Sequence, residues 1–221
     1  MHRLHAQAAL DGLHPSRWPG VPATLLERSR HSGLGRRHLA RAMLREQPRV
    51  FGPDSGRWDD WVAQEPWLAW PQPEIDTFTR ELGAIAFGPA VRVTVERGEV
   101  LFLREALGLD AWRRAQAADP WCGPAPEAVR HMGRAAIQRC GRDAQSLRDA
   151  IYERGKIEFL GHAGRRDARL AERLALAYAT APTLPCAKES WLPATAVPAL
   201  LAERAKPTDD GDAPAVEAQP E

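Results

Sequence analysis

Cysteine, lysine and long apolar runs are all scarce in this chain of 221 residues. Its cysteines are Cys122, Cys140 and Cys186, at scattered spacings that make no disulfide framework and point to a reducing compartment. No run of 18 apolar residues occurs, which argues against a transmembrane helix and direct membrane insertion. The opening MHRLHAQAALDGLHPSRWPG lacks a sustained apolar stretch and a small-residue cleavage site, so no secretory leader is expected. Together these absences predict a cytoplasmic protein.

The signatures of chemistry are missing as well. There is no GxxxxGK[ST] loop, and Ser32-Gly33-Leu34-Gly35 has neither a preceding strand nor a third glycine to cradle phosphates. The seven histidines form no HExxH and no Cys/His zinc spacing; His131 and His162 stand apart from plausible partners. Asp59 and Asp60 are adjacent, and adjacent helical residues point apart. Cys122 and Cys186 lie in loops with no neighbouring histidine to lower a thiol pKa. Cys140 sits on an apolar stripe, as a small buried thiol would. No cofactor or catalytic residue is expected, and the chain reads as a non-enzyme.

What the sequence does have is a core. The apolar fraction is 44%, and the formal charge of +1 hides an asymmetry. After Lys206 come Asp209, Asp210, Asp212, Glu217 and Glu221 with no base, a segment of −5 that leaves +6 on the rest. Only Lys156, Lys188 and Lys206 are lysine among 30 basic residues. Arginine favours planar, bidentate contacts, although a GC-rich coding sequence produces the same bias.

The periodicities predict a mostly α fold, a single compact multi-helix domain. Pro73 opens an amphipathic helix in which Ile75, Phe78, Leu82 and Ile85 share a face and Gly88-Pro89 marks the end. Val91, Val93 and Val95 alternate with polar residues as a half-buried strand would, whereas Val100 to Leu103 is apolar all round. Leu103 and Leu107 share a helical face that Gly108 closes, and Asp110 can cap a short helix reaching Ala118. Helices are also expected from Pro22 to Arg30 and from Gly35 to Gln47. Another follows Pro126, with Val129, Met132, Ala136 and Cys140 in one stripe. Asp143 caps the next, which holds Leu147 and Ile151, is weakened at Gly155 and is broken at Gly161–Gly164. The last runs from Arg165 to Thr180 with Leu170, Leu174 and Tyr178 in register. The expected organisation is a lead-in over residues 1–21, tacked down by Leu13 and Trp18, and a helical domain over 22–181. A proline-punctuated arm over 182–205 packs on it, and an acidic, aromatic-free tail over 206–221 is expected to be disordered.

Two groups suggest binding. Arginine crowds residues 28–49, where Arg37, Arg41 and Arg45 make a basic helix face for an acidic protein partner or for nucleic acid. No aromatic residue is interleaved between Arg28 and Arg49 to stack bases, which disfavours nucleic acid. Four of the eight tryptophans fall within residues 58–70. The favoured reading is that they cap the core and pin a proline-rich connection; the alternative is an interface, for which Trp67 or Trp70, beside prolines that prevent a regular buried element, is the candidate for exposure and for partner binding.

The order of motifs resembles one family. Leu13-His14-Pro15-Ser16 is similar to the Leu-His-Pro-Ser element of the YscK/SctK family, the type III secretion sorting-platform protein K. So are Leu82-Gly83-Ala84, Gly88-Pro89-Ala90-Val91-Arg92 and Leu103-Arg104-Glu105-Ala106-Leu107-Gly108. The likeness spans about residues 10–180 and leaves out the acidic tail and the arginine-rich helix. It implies a helical, non-enzymatic cytoplasmic adaptor at the inner-membrane face of the injectisome, and its helical character favours helix over strand for Val91 to Val95. Its implied partners are the cytoplasmic domain of the inner-membrane ring protein (YscD/SctD-like) and the pod protein (YscQ/SctQ-like), and through the latter the stator and ATPase. The alternative is a basic helical nucleic-acid-binding protein.

Overall fold

Gln72 to Arg92 forms a helix of 21 residues, 13 of them buried, and the rest of the molecule gathers around it. The computed structural model describes residues 9–51, 58–179 and 189–205. Gly52-Pro53-Asp54-Ser55-Gly56, which reads as a turn cluster, lies outside these residues, as do Cys186 and the acidic tail. Among them there are eleven α-helices and no strand. In chain order the helices are α1 Ala23–His31, α2 Gly33–Glu46, α3 Pro48–Phe51, α4 Trp58–Gln64, α5 Gln72–Arg92, α6 Arg97–Leu107, α7 Leu109–Ala117, α8 Glu127–Cys140, α9 Ala144–Arg166, α10 Ala168–Ala175 and α11 Ala196–Arg204. The helical class read from the sequence is the one observed.

The central element is longer than the sequence pattern suggests. Pro89 has no N–H to donate and should end a helix at Gly88. Instead α5 continues to Arg92, because Ala90 and Val91 are buried against α8 and the tertiary packing outweighs one lost bond. Arg92 then donates to the carbonyls of Ala115 and Ala118 at 3.0 and 2.9 Å, satisfying the otherwise open end of α7. The valines that follow form no strand. Val91 lies in the last turn of α5, Val93 and Val95 lie in the connection to α6, and Val95 is 91% exposed. Helix α6 is likewise not buried all round: Leu103 and Ala106 face inward while Leu101 is exposed. Asp110 is exposed in the first turn of α7 and caps nothing; Gly108, with φ of 78°, holds the cap position.

Helix α9 crosses α5 and is also longer than expected. Gly155 does not weaken it, and Gly161 and Gly164 do not break it. At the crossing the two backbones touch. A Cβ on Gly155 would lie 1.8 Å from the Thr79 carbonyl oxygen, and one on Gly83 would lie 2.0 Å from that of Ile151. Glycine here permits close packing of helices, and the burial gained exceeds its propensity penalty of about 1 kcal/mol. Edge-to-face aromatics fill the space beside the crossing: Trp67 on Phe159 at 5.2 Å, Phe159 on Phe78 at 5.1 Å, and Phe78 on Trp70 at 5.4 Å. Along α8 the buried stripe is Val129, Gly133 and Ala136, with Met132 exposed and Cys140 half-buried. Helix α10 stops at Ala175, so buried Tyr178 lies beyond it and donates its hydroxyl to Thr79 at 3.0 Å.

The segment before α1 is irregular but fixed. Leu10, Leu13 and Trp18 are buried in the same core as α5 and α9. His14 caps a short 3-10 turn, Pro15–Arg17, its ring accepting from the Ser16 N–H, and its own N–H donates to the Leu176 carbonyl at 3.0 Å. Ser16 donates to Ala179, and the Arg17 guanidinium to Ala175 and Tyr178, at 2.5, 2.7 and 2.9 Å. The Leu-His-Pro-Ser-Arg sequence thus supplies the donors for the free carbonyls after α10.

Candidate functional site

Arginine in the α1–α2 region serves two purposes. Arg30 donates to the Leu13 carbonyl at 2.6 Å, Arg36 grips Asp11 through two bonds of 2.8 and 3.1 Å, and Arg49 pairs with Glu172 at 3.3 Å. These three hold the N-terminal segment and α10. Arg37, Arg41 and Arg45 follow a four-residue spacing along α2, and all are exposed. The opposite side of the helix carries Leu39, Ala40 and Met43, each buried in the core. Core packing therefore sets the direction of the stripe. Arg37 donates back to the Gly33 carbonyl at 3.1 Å, and no carboxylate among the described residues pairs with any of the three. The result is a row of three outward guanidiniums on a rigid helix, suited to carboxylates or phosphates.

The tryptophan pair is not an exposed surface. Trp67 is 1% exposed, its ring against Phe159 and its Nε1 donating to Glu65 at 2.9 Å. The flanking prolines shape a 3-10 turn, Pro66–Ala69, that drives the ring inward. Trp70 is half-buried under the Arg204 guanidinium, 5.2 Å from its ring. Trp67 is therefore removed as a partner-binding residue, and Trp70 offers only one edge. Trp61 is similarly half-covered by Arg169 at 4.8 Å.

Sequence inspection missed the polar cluster beneath Trp67. Glu65, 5% exposed, accepts from Trp67, from Arg166 Nε at 2.9 Å and lies 3.3 Å from His162 Nε2. Burial pushes its carboxyl up, but the His162, Trp67 and Arg166 hydrogen bonds outweigh this and hold it below the usual carboxylate range. A pocket of about 310 Å³ opens over this cluster, walled by Pro198, Leu201 and Ala202 of α11. Residues 65 and 162 are separated by 97 positions, and no local spacing announces their meeting. Every oxygen of Glu65 is engaged within the protein, which marks the cluster as a joint between the Pro66 turn and α9.

A second buried carboxylate fixes the C-terminal segment. Glu158, fully buried, accepts from the Ser190 hydroxyl and from the N–H groups of Trp191 at 2.7 Å and Leu192 at 3.2 Å. Arg154 stacks 4.1 Å over the Trp191 ring and donates to the Glu189 carbonyl. Of the cysteines, Cys122 is exposed in a turn with φ of 52°, and burial pushes the Cys140 thiol up. Among the described residues no group of three or more His, Cys, Asp or Glu side chains is placed to hold a metal ion. No described helix is long and apolar enough to cross a membrane. No family model, curated protein or solved structure matches the chain.

Proposed function

We propose that this protein is a non-enzymatic adaptor that docks an acidic protein partner on the Arg37–Arg41–Arg45 stripe of α2. The observation that carries the reading is the stripe itself: three guanidiniums aimed outward from a helix whose other side is locked in the core. The motif order that resembles the type III secretion protein K family supports a more specific assignment. On that assignment the chain joins the cytoplasmic domain of the inner-membrane ring protein to the pod protein of the sorting platform. It would act at the cytoplasmic face of the inner membrane. The stripe contributes electrostatic steering and orientation to one of these two contacts.

The test is a pull-down of tagged full-length chain from its native cytoplasm, read by mass spectrometry. It is repeated with Arg37→Glu, Arg41→Glu and Arg45→Glu combined. The expected result is recovery of the ring and pod proteins by the native chain. The variant should lose one of them by about tenfold or more, with its helical circular dichroism unchanged, since three charges are reversed. Equal recovery of both by the variant removes the stripe from the interface. Recovery of nucleic acid, with affinity falling steeply in salt, would replace the adaptor with the basic nucleic-acid-binding reading.

A further inference from the structure

A groove of about 330 Å³ lies between α5, α6, α7 and α9. Its floor is apolar, formed by Ala106, Leu107, Ala111 and Ile151, and exposed Arg80 and Arg148 line it. Arg80 reaches over the Tyr152 ring at 5.8 Å, while Arg148 donates to the Gln145 amide oxygen at 3.2 and 3.1 Å. Asp149 is the one carboxylate in the lining, and it is held by Gln145 at 2.8 Å. Two guanidiniums over an apolar floor fit an acidic segment that also carries small apolar residues.

The chain contains such a segment close by. After Lys206 the sequence PTDDGDAPAVEAQPE carries −5 and sets Ala-Pro-Ala-Val between Asp212 and Glu217. Helix α11, which leads into it, is tied to α7 and α5, two of the four helices that form the groove. Glu203 is bonded by Arg114 at 3.0 and 2.9 Å, and Arg204 lies 3.7 Å from Glu81. Arg114 stands three residues after the groove-lining Ala111, about 4.5 Å along α7. Glu81 directly follows the groove-lining Arg80. Four residues from Ala205 to Asp209 span up to about 14 Å, and the segment as far as Val216 spans more than twice that. We propose that the acidic segment after Lys206 docks across this groove, with carboxylates on Arg80 and Arg148 and Ala213–Val216 on the apolar floor. The tail would thereby occlude an arginine pair from other acidic ligands, independently of what the α2 stripe binds.

The experiment uses the full chain in which Asp209→Asn, Asp210→Asn and Asp212→Asn empty the groove. A labelled peptide of sequence PTDDGDAPAVEAQPE is titrated by fluorescence anisotropy at low salt. The neutralised chain should bind it, and the native chain should bind it about tenfold more weakly. That factor follows from a tethered tail at an effective concentration of about 1 mM competing with a peptide Kd of about 0.1 mM. Adding Arg80→Ser and Arg148→Ser to the neutralised chain should abolish binding, while adding Arg37→Ser, Arg41→Ser and Arg45→Ser should not. Equal binding by native and neutralised chains, or binding lost only with the α2 substitutions, overturns the proposal. So does a native dimer in sedimentation that the neutralised chain does not form, which would place the tail in a second copy.

Discussion

Replacing Gly155 with alanine sets a methyl carbon 1.8 Å from the Thr79 carbonyl oxygen, and neither atom lies at the end of a flexible side chain. An ordinary contact would require α5 and α9 to separate by roughly 1.5 Å at their crossing, and a gap of 0.5–1 Å already forfeits about a quarter to a half of a dispersion well. Phe78, Leu82, Ile151 and Phe159, all buried beside the crossing, would lose contact together. Overpacking of this kind costs about 1–3 kcal/mol where side chains can adapt. With backbone as the obstacle the cost lies at the upper end, about 3 kcal/mol, and the roughly 1 kcal/mol that alanine gains in helix propensity leaves about 2 kcal/mol net destabilisation. For a chain of this length that is a fall in Tm of about 4–8 °C. The internal control is Gly161→Ala on the same helix, where the nearest atom to a new Cβ is the Arg165 Nη1 at 3.5 Å. That substitution should raise Tm by up to about 4 °C. Thermal melts followed at 222 nm compare the two. A Gly155→Ala protein that melts at or above the native temperature would refute the claim that the glycine crossing limits the fold.

Other outcomes follow from the buried carboxylates. Because the folded-state pKa of Glu65 is depressed, its contribution to stability is complete above the unfolded carboxylate range and is lost as pH falls towards the folded value. Glu65→Gln should flatten the acid limb of urea midpoints measured against pH, whereas an unchanged limb would show that other carboxylates govern it. Glu158→Ala leaves the Trp191 and Leu192 N–H groups without their acceptor and should cost about 2–4 kcal/mol. Hydrogen exchange should then accelerate at residues 190–192 ahead of α5; unaltered protection would mean the carboxylate does not hold the segment.

The helices were legible where apolar spacing is the only influence, and α1, α2 and the start of α9 fall within a residue or two of their expected places. The misreadings share one cause. Pro89 and Gly161 carry poor local propensity and read as breaks, and Gly155 reads as a weak point, yet each lies in a helix whose burial is supplied by a partner distant in sequence. Trp67 was misplaced for the same reason, since its neighbour Phe159 cannot be inferred from flanking prolines. The arginine stripe was legible because a four-residue spacing with opposed Leu39 and Met43 is a local property. Which arginines stay outward was not, because Arg30, Arg36 and Arg49 find their partners at Leu13, Asp11 and Glu172. The groove between Arg80 and Arg148 needs four helices to exist, so no single stretch of sequence contains it.

The seat of the Leu-His-Pro-Ser-Arg turns has a consequence for biogenesis. Arg17 bonds a carbonyl 158 residues further along the chain, and Ser16 one 163 residues away. At a synthesis rate of about 5–20 residues per second, the first turns wait roughly 8–30 s for their acceptors to be made. During that interval Leu10, Leu13 and Trp18 are apolar surface on a nascent chain. The segment that carries them is made well before its acceptors and closes only after them, which exposes the growing chain to chaperones that hold apolar segments.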